Sequence, residues 1–478
     1  MYNKRPFARA VKTICPMLAV LLAPSGIRAQ EKTELQQILQ RLDRLEQENH
    51  ALADEVHALR TELAAAKVQP EKPVEGKQPT QLEAAQAQPG PTPTPAPPLE
   101  EQVQVTEQRT ADLSQEKVEA SQRFPVSLTG MVLFNAFLNG RNAAGQEDPP
   151  VASASSGAAT NGATIAQTVL GLRYQSPQAL WGAQVNGSVF FDFYGGSGTS
   201  LDHTARLRTA AIQLDWANTS VMVGQDKPLI APRDPFSLAQ VGISPFTAAG
   251  NLWLWSPQAK VEERFQFGAD SGLRAQVGVF ELGGTAATGS TNYPAPNMEA
   301  SAGPALEGRF EFWHKFGEHT RIELAPGFHF AQTRQDGVPV PSRLFSFDWF
   351  VNPWEKIEFT GAFYRGENIA GLGTIGPGYF VVGPSSVTPA QAIGGWAQIA
   401  WLATPRLTFH LIAGQHNNQA SEVAEGLIFK NQGYAANAIY RLAPNVLLSL
   451  EAMQLRTSYV GSGTRLNNHY DLGVAYLF

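Results

Sequence analysis

The chain has 478 residues, a formal net charge of −6 and only 16% charged side chains, below the globular norm of about 25%. So mild an acidity argues against nucleic acid as a partner, and the one cysteine, Cys15, lies in a segment expected to be removed, which leaves no disulfide or thiolate metal site. After the first 30 positions no run of 18 or more apolar residues occurs, which excludes a transmembrane helix from the mature chain. Low charge with 43 glycines and 10% aromatics fits a β-barrel, whose apolar signal is diluted by alternation.

Residues 1–29 read as a secretory signal peptide. Lys4, Arg5, Arg9 and Lys12 precede a short apolar run from Ile14 to Ala23, and Ala29 supplies the small residue at the cleavage point. The run is too short to anchor the chain across a bilayer. Residues 30–67 read as a coiled coil. Leu35, Leu42, Asn49, Val56 and Leu63 recur every seventh position, and Ile38, Leu45, Leu52, Leu59 and Ala66 form the second series. Asn49 takes an a position, where a buried amide sets register and oligomer state. The bland alternative is a lone amphipathic helix, but the stripe is too narrow to cover a globular core. The pattern admits either two or three strands. Residues 68–123 lose this period. Pro70, Pro73, Pro79, Pro89 and the run from Pro91 to Pro98 predict an extended, Pro-rich linker.

From 124 to 478 the period becomes two. In the final strand Tyr470, Leu472, Val474, Tyr476 and Phe478 share one parity, and Asp471, Gly473 and Ala475 the other. Similar segments of about ten residues recur, joined by gaps that alternate short and long. Val126 to Ala136 opens the series with Ser127, Thr129 and Asn135 on the inner face. The segment carrying Arg206 and Arg208 changes its outward parity midway, which predicts a bulge. Pro326 interrupts another segment and predicts a second bulge. A medium loop is expected between Phe330 and Leu344. The count is sixteen, giving an all-β fold: a 16-stranded antiparallel transmembrane β-barrel behind an N-terminal coiled-coil helix. Trp181, Trp216, Trp354, Trp401, Tyr440, Tyr476 and Phe478 fall near the short-turn ends, as an interfacial girdle would. A soluble propeller or sandwich would lack the long/short alternation of gaps.

Signal peptide, heptad helix, Pro-rich tether, porin-length barrel and terminal aromatic together resemble the DcaP-like trimeric porins, which are similar in turn to the phosphate-selective porin O/P family. The local motifs are Leu207-Arg208 within a strand, Val223-Gly224-Gln225 before a long loop, and Tyr476-Leu477-Phe478 at the end. The resemblance implies a homotrimer, a periplasmic helix, a third long loop folded into the pore, and Tyr476 and Phe478 as the signal read by the outer-membrane assembly machinery. The third loop departs from that pattern in lacking a dense basic cluster, so phosphate selectivity is not carried over.

Selectivity in a pore comes from the side chains at its constriction. The loop from Lys227 to Gly250 supplies Lys227, Arg233 and Asp234, stiffened by four prolines. In it, the run Pro232 to Phe236 should hold a charge pair, Arg233 and Asp234, at a fixed place. Strand parity turns Arg206, Arg208, Lys260, Arg264, Arg274 and Arg309 inward, with Glu262, Glu307 and Glu311. Facing basic and acidic walls would set up a transverse field with a modest preference for anions; the bland alternative is that these charges solvate a wet lumen. Scattered histidines and glycine loops without a Gly-Lys-Ser/Thr ending give no metal site, cofactor or catalytic centre to expect. The expected function is passive diffusion of small hydrophilic solutes across a bacterial outer membrane. The alternative is a structural tether from outer membrane to peptidoglycan through Leu35, Ile38, Leu42, Leu45, Asn49, Leu52, Val56, Leu59 and Leu63. Outer-membrane lipids are the expected surroundings in either case.

Overall fold

The structure is a computed structural model that describes residues 125–176, 179–195, 203–281, 304–335, 338–383 and 386–478. The expected signal peptide, coiled coil and linker lie outside the described residues.

Alternation decides which way each strand turns its side chains. In β19 (Gly463–Leu477), Tyr470, Leu472, Val474 and Tyr476 are exposed, whereas His469, Asp471 and Ala475 are buried. This strand pairs antiparallel with β1 (Val126–Asn139) in a register that sets Val132 beside Tyr476, Phe134 beside Val474 and Leu138 beside Tyr470. The outer faces of the first and last strands are therefore continuous and apolar, and the sheet has no free edge there.

Between them run β2 (Thr160–Thr164), β3 (Val169–Gln175), β4 (Gln184–Gly195), β5 (Thr204–Asp215), β6 (Thr219–Asp226), β7 (Ser256–Gln266), β8 (Ser271–Phe280), β9 (Ala305–Lys315), β10 (Arg321–Gln335), β11 (Val338–Trp354), β12 (Ile357–Glu367), β13 (Tyr379–Gly383), β14 (Ser386–Pro389), β15 (Gln391–Thr404), β16 (Leu407–Asn418), β17 (Ile428–Ala443) and β18 (Val446–Tyr459). Segments β2 and β3 pair with successive stretches of β1 and make one interrupted wall strand, while β13 and β14 form a separate hairpin. The wall is thus a closed antiparallel barrel of sixteen strands.

Connections at one end are short, as at 216–218, 355–356, 405–406 and 444–445. At the other end several are long, as at 140–159, 227–255 and 368–390. The expected medium loop after Phe330 is instead a two-residue connection between β10 and β11, strands of 15 and 17 residues. Where both faces of a strand are wet, alternation is no longer required. Gln332, Thr333, Arg334, Pro339 and Pro341 continue the ladder without showing it in the sequence.

The two expected bulges fare differently. Phe190 pairs with Thr209 and Phe191 with Leu207, so Arg208 is an extra residue in β5. The outward set accordingly changes from Leu207 to Ile212. Pro326 makes no bulge: β9 and β10 keep one register on both sides of it, and pairing merely lapses at Ala325 and Pro326. A residue without an N–H deletes a rung but inserts no length.

Trp181, Trp354, Trp401, Tyr440 and Tyr476 are exposed near the short-turn end. Trp216 is half-buried and donates its indole N–H to the Trp181 carbonyl at 3.1 Å. Phe478 stacks on Tyr476 at 6.4 Å, and its backbone N–H and C=O bond Gly130 at 3.2 and 3.0 Å. A Cβ on Gly130 would stand 2.3 Å from the Val169 carbonyl oxygen. Gly130→Val should therefore cost about 2 kcal/mol and lower the temperature at which the folded band converts to the unfolded band on a gel.

Candidate functional site in the barrel lumen

The site is built on the loop 227–255 between β6 and β7. Pro228, Pro232, Pro235 and Pro245 cannot donate to a ladder, so this stretch does not extend the wall. It folds inside the barrel, with Leu229, Ile230, Leu238, Phe246 and Leu252 to Trp255 all buried. Wall side chains hold its main chain at successive positions. Phe236 N–H donates to Gln398 on β15 at 2.6 Å, and Asn437 on β17 donates to the Phe236 carbonyl at 2.9 Å. Ser237 bonds Glu451 on β18 at 2.6 Å, and Asn135 on β1 donates to the Leu238 carbonyl at 2.8 Å. Gln167, inward at the break between β2 and β3, accepts from Val241 and Gly242 at 2.6 and 2.8 Å. It also donates to the Ala239 carbonyl at 2.9 Å. Small wall residues make the seat. Gly250 has φ +109°, and a Cβ there would stand 2.1 Å from the Gly395 carbonyl oxygen.

Alternation turns Arg206 and Arg208 both inward from β5, and the bulge at Arg208 shifts the parity only beyond them. Asp192 on β4 receives both, Arg206 Nε at 3.0 Å and Arg208 Nη1 at 2.9 Å. Arg208 also donates to the Val241 carbonyl at 2.9 Å, and Arg206 to that of Gly242. The two guanidinium carbons lie 5.0 and 4.6 Å from the Trp255 ring, so the loop's end caps the pair.

A second cluster lies on β9–β11. Glu311, Glu323 and Asp348 surround Arg233 of the loop at 3.2, 2.5 and 2.8 Å. Arg309 bonds Glu311 at 2.6 Å and Asp348 at 2.7 Å, and its side chain is only 2% exposed. Its charge therefore meets the wall carboxylates rather than open lumen. Arg233 and Asp234 are both held in place, each by other residues. Asp234 turns to Lys227 and to the Asn251 amide. In an extended Pro-rich run, neighbouring side chains diverge.

Of the remaining residues expected to face inward, Lys260 pairs with Asp226 at 2.9 Å. Glu262 is shared by Arg264 and Arg274 at 3.5 Å each. Glu307 accepts the Leu229 N–H at 2.7 Å. Arg264, Arg274, Lys315 and Arg321 line a vestibule of about 450 Å³ near the short turns, with Glu311 and Glu323. Sequence reasoning missed Asp192, Asp226, Glu323, Asp348, Gln167 and Trp255. An acid inside an aromatic run, such as Asp192 in Phe190 to Tyr194, was the one available signal.

The loop 140–159 also turns inward. Ala152 bonds Thr457 and Tyr459 of β18 at 2.8 Å each, and Asn431 donates to the Pro150 carbonyl at 3.0 Å. Asp148 is buried and accepts from the Tyr194 hydroxyl, while its Oδ2 has no partner among the described residues. Burial pushes its carboxyl from 3.8 up to about 7, with Glu147 raising it further and Tyr194 and Arg206 opposing. The protonated acid favours the docked loop, so docking should weaken as pH rises from about 4 to about 7 and then level off. Protease cleavage within 140–159 should rise over that range, and Asp148→Asn should make it insensitive to pH.

No family model and no curated protein matches the sequence. The fold is similar to that of the outer membrane channel DcaP of Acinetobacter baumannii, at 16% identity and TM-score 0.59, over 74% of this chain and 97% of that one. It is also similar to an anion-selective porin from Comamonas acidovorans, at 13% identity and TM-score 0.51, over 74% of this chain and 99% of that one. At such identities the likeness concerns the fold.

Proposed function

We propose that the chain is an outer-membrane porin, a passive diffusion channel for small hydrophilic solutes. The observation that carries this reading is a closed sixteen-strand wall, apolar outside, with charged side chains and an inward loop filling its inner face. Such a wall spans a bilayer and leaves its interior to water and solute. The likeness to two outer-membrane channels supports it. In this reading Arg206, Arg208, Lys260, Arg264 and Arg274 line the path with Glu262. Lys227, Arg233 and Asp234 shape the constriction from the loop, and Arg309 acts by holding the carboxylates that anchor it. The vestibule carries four cationic and two acidic side chains, which favours anions. No catalytic step or cofactor enters.

The finer kinship with the DcaP-like and phosphate-selective porin O/P families rests on the sequence motifs. A homotrimer joined by the heptad positions Leu35 to Leu63, with that region in the periplasm, belongs to the same proposal, as does contact with peptidoglycan. Tyr476 and Phe478 serve as the assembly signal.

Purified protein in a planar bilayer should carry ion current; its absence would sink the channel reading. Replacing Arg206, Arg208 and Arg264 with Gln should move the reversal potential toward cations by roughly 10–20 mV, out of about 59 mV for full selectivity in a tenfold salt gradient. An unchanged potential would refute that assignment. Deleting Phe478 should reduce insertion into the outer membrane severalfold while leaving the conductance of inserted molecules unaltered.

A further inference from the structure

Two inward loops meet at the root of the constriction. The segment 368–376, which follows β12, packs on both stems of the loop 227–255. Ile369 and Leu372 share one apolar cluster with Ile230, Leu252 and Leu254. Trp253 N–H donates to the Leu372 carbonyl at 3.2 Å. Gly373, at φ +79°, lies so close to the Trp253 carbonyl that a Cβ would overlap it.

One line of hydrogen bonds joins the same two loops through three wall strands. Leu229 N–H donates to Glu307 Oε2 of β9 at 2.7 Å. Glu307 Oε1 lies 3.2 Å from His329 Nδ1 of β10, and His329 Nε2 lies 3.1 Å from Ser342 Oγ of β11. Ser342 donates to the Asn368 carbonyl at 2.7 Å. Glu307, His329 and Ser342 are all buried, none more than 1% exposed. Asn368 stands at φ +51°, a left-handed conformation uncommon outside glycine. Its side-chain amide holds it there, donating to Thr333 Oγ1 at 2.8 Å and to the Val340 carbonyl at 3.3 Å.

The ends of the line fix its protons. A main-chain N–H can only donate and a carbonyl can only accept. The Ser342 proton is committed to Asn368, so the hydroxyl accepts from His329, and Nε2 carries a proton. At the other end Glu307 Oε2 accepts from Leu229. A bond between Glu307 Oε1 and His329 Nδ1 then needs one further proton. It serves equally as imidazolium beside carboxylate or as imidazole beside carboxylic acid, and the pair is net neutral in both forms, which suits its burial. Without that proton a carboxylate oxygen faces an imidazole lone pair, and a buried negative charge stands uncompensated.

Among the described residues the neighbouring charges are committed elsewhere. Arg309, next inward on β9, is held by Glu311 and Asp348. Lys260 of β7 pairs with Asp226, and Lys227 of the loop with Asp234. Arg343, beside Ser342 on β11, turns outward to Glu367. From β8 the Phe280 ring packs 5.4 Å from that of His329, and from β12 the Tyr364 hydroxyl bonds His416.

We propose that the proton shared by Glu307 and His329 is a latch: it ties the roots of the loop 227–255 and of the segment 368–376 to the wall, and its loss frees the constriction loop. The sign follows from counting protons. The latched pair keeps one proton that a solvated imidazole and carboxylate give up on the alkaline side of neutrality, so rising pH favours release. The consequence for conductance rests on the channel reading; the latch itself does not.

The test is hydrogen exchange of the full-length protein in detergent, read by mass spectrometry over 227–235 and 368–376 and corrected for the intrinsic pH dependence of exchange. From about pH 7 to about pH 9.5, wild-type protection of both segments should fall roughly tenfold. That range lies above the one in which Asp148 acts. Glu307→Gln keeps both bonds, its amide oxygen accepting from Leu229 and its amide N–H donating to His329 Nδ1. Its protection should stay level across the range. His329→Phe should be poorly protected throughout, with heat modifiability on a gel reporting whether it folds. Level wild-type protection overturns the proposal. So does a Glu307→Gln protein that keeps the wild-type slope or has already lost protection at the lower pH. Closures in a planar bilayer should become roughly tenfold more frequent over the same range in the wild type and not in Glu307→Gln. A wild type that carries no current fails the channel reading, and the exchange profile then judges the latch alone.

Discussion

In hydrocarbon a backbone N–H or C=O without a partner costs several kcal/mol, and a sheet can satisfy all of them only by closing on itself. The pairing of β1 with β19 is where this chain meets that demand. Much follows from it. Closure makes one face of every strand apolar and lipid-facing, so the other face is free to be polar. Sixteen strands enclose more space than their own side chains can fill. The loop 227–255 occupies that space, and its prolines keep it from adding to the wall.

The loop is held chiefly by polar side chains that bond its main chain, with apolar patches between. Asn135, Gln167 and Asn437 each present amides to loop carbonyls or N–H groups. Such bonds fix position well, because removing one partner leaves a buried polar group unsatisfied. Arg233 adds a charged clasp. Among Glu311, Glu323 and Asp348 it would be costly to desolvate alone, but with Arg309 it balances much of the acidic cluster. The same ion pairs that anchor the loop therefore remove those charges from the lumen. The less covered cations, Arg264, Arg274 and Arg321, remain near the short turns.

The outer face has its own grading. Aromatic rings on β9–β12 and alanines on β16–β19 present lipid with two surfaces of different relief. Alternation constrains only polarity outside, so side-chain size is free to vary from sector to sector.

Alternation is a local property, and whatever depended on it was legible. The final strand, the sixteen-strand count, the short turns with their aromatic girdle and the inward parity of Arg206, Lys260 and Arg309 could all be read along the chain. The bulge at Arg208 was visible because it breaks the period, whereas Pro326 misled because a missing N–H and an inserted residue look alike in sequence. The strand ends near Gln335 and Val338 were hidden because wet strands need not alternate. Partnership was not legible at all. That Arg233 reaches across to Asp348, and that Gln167 holds the loop at Val241, depends on residues 115 and 74 positions apart. Only closure of the barrel brings those residues together. The sequence by itself determined which faces meet lipid; the tertiary structure decided which inward charges stay available and which are consumed in holding the loop.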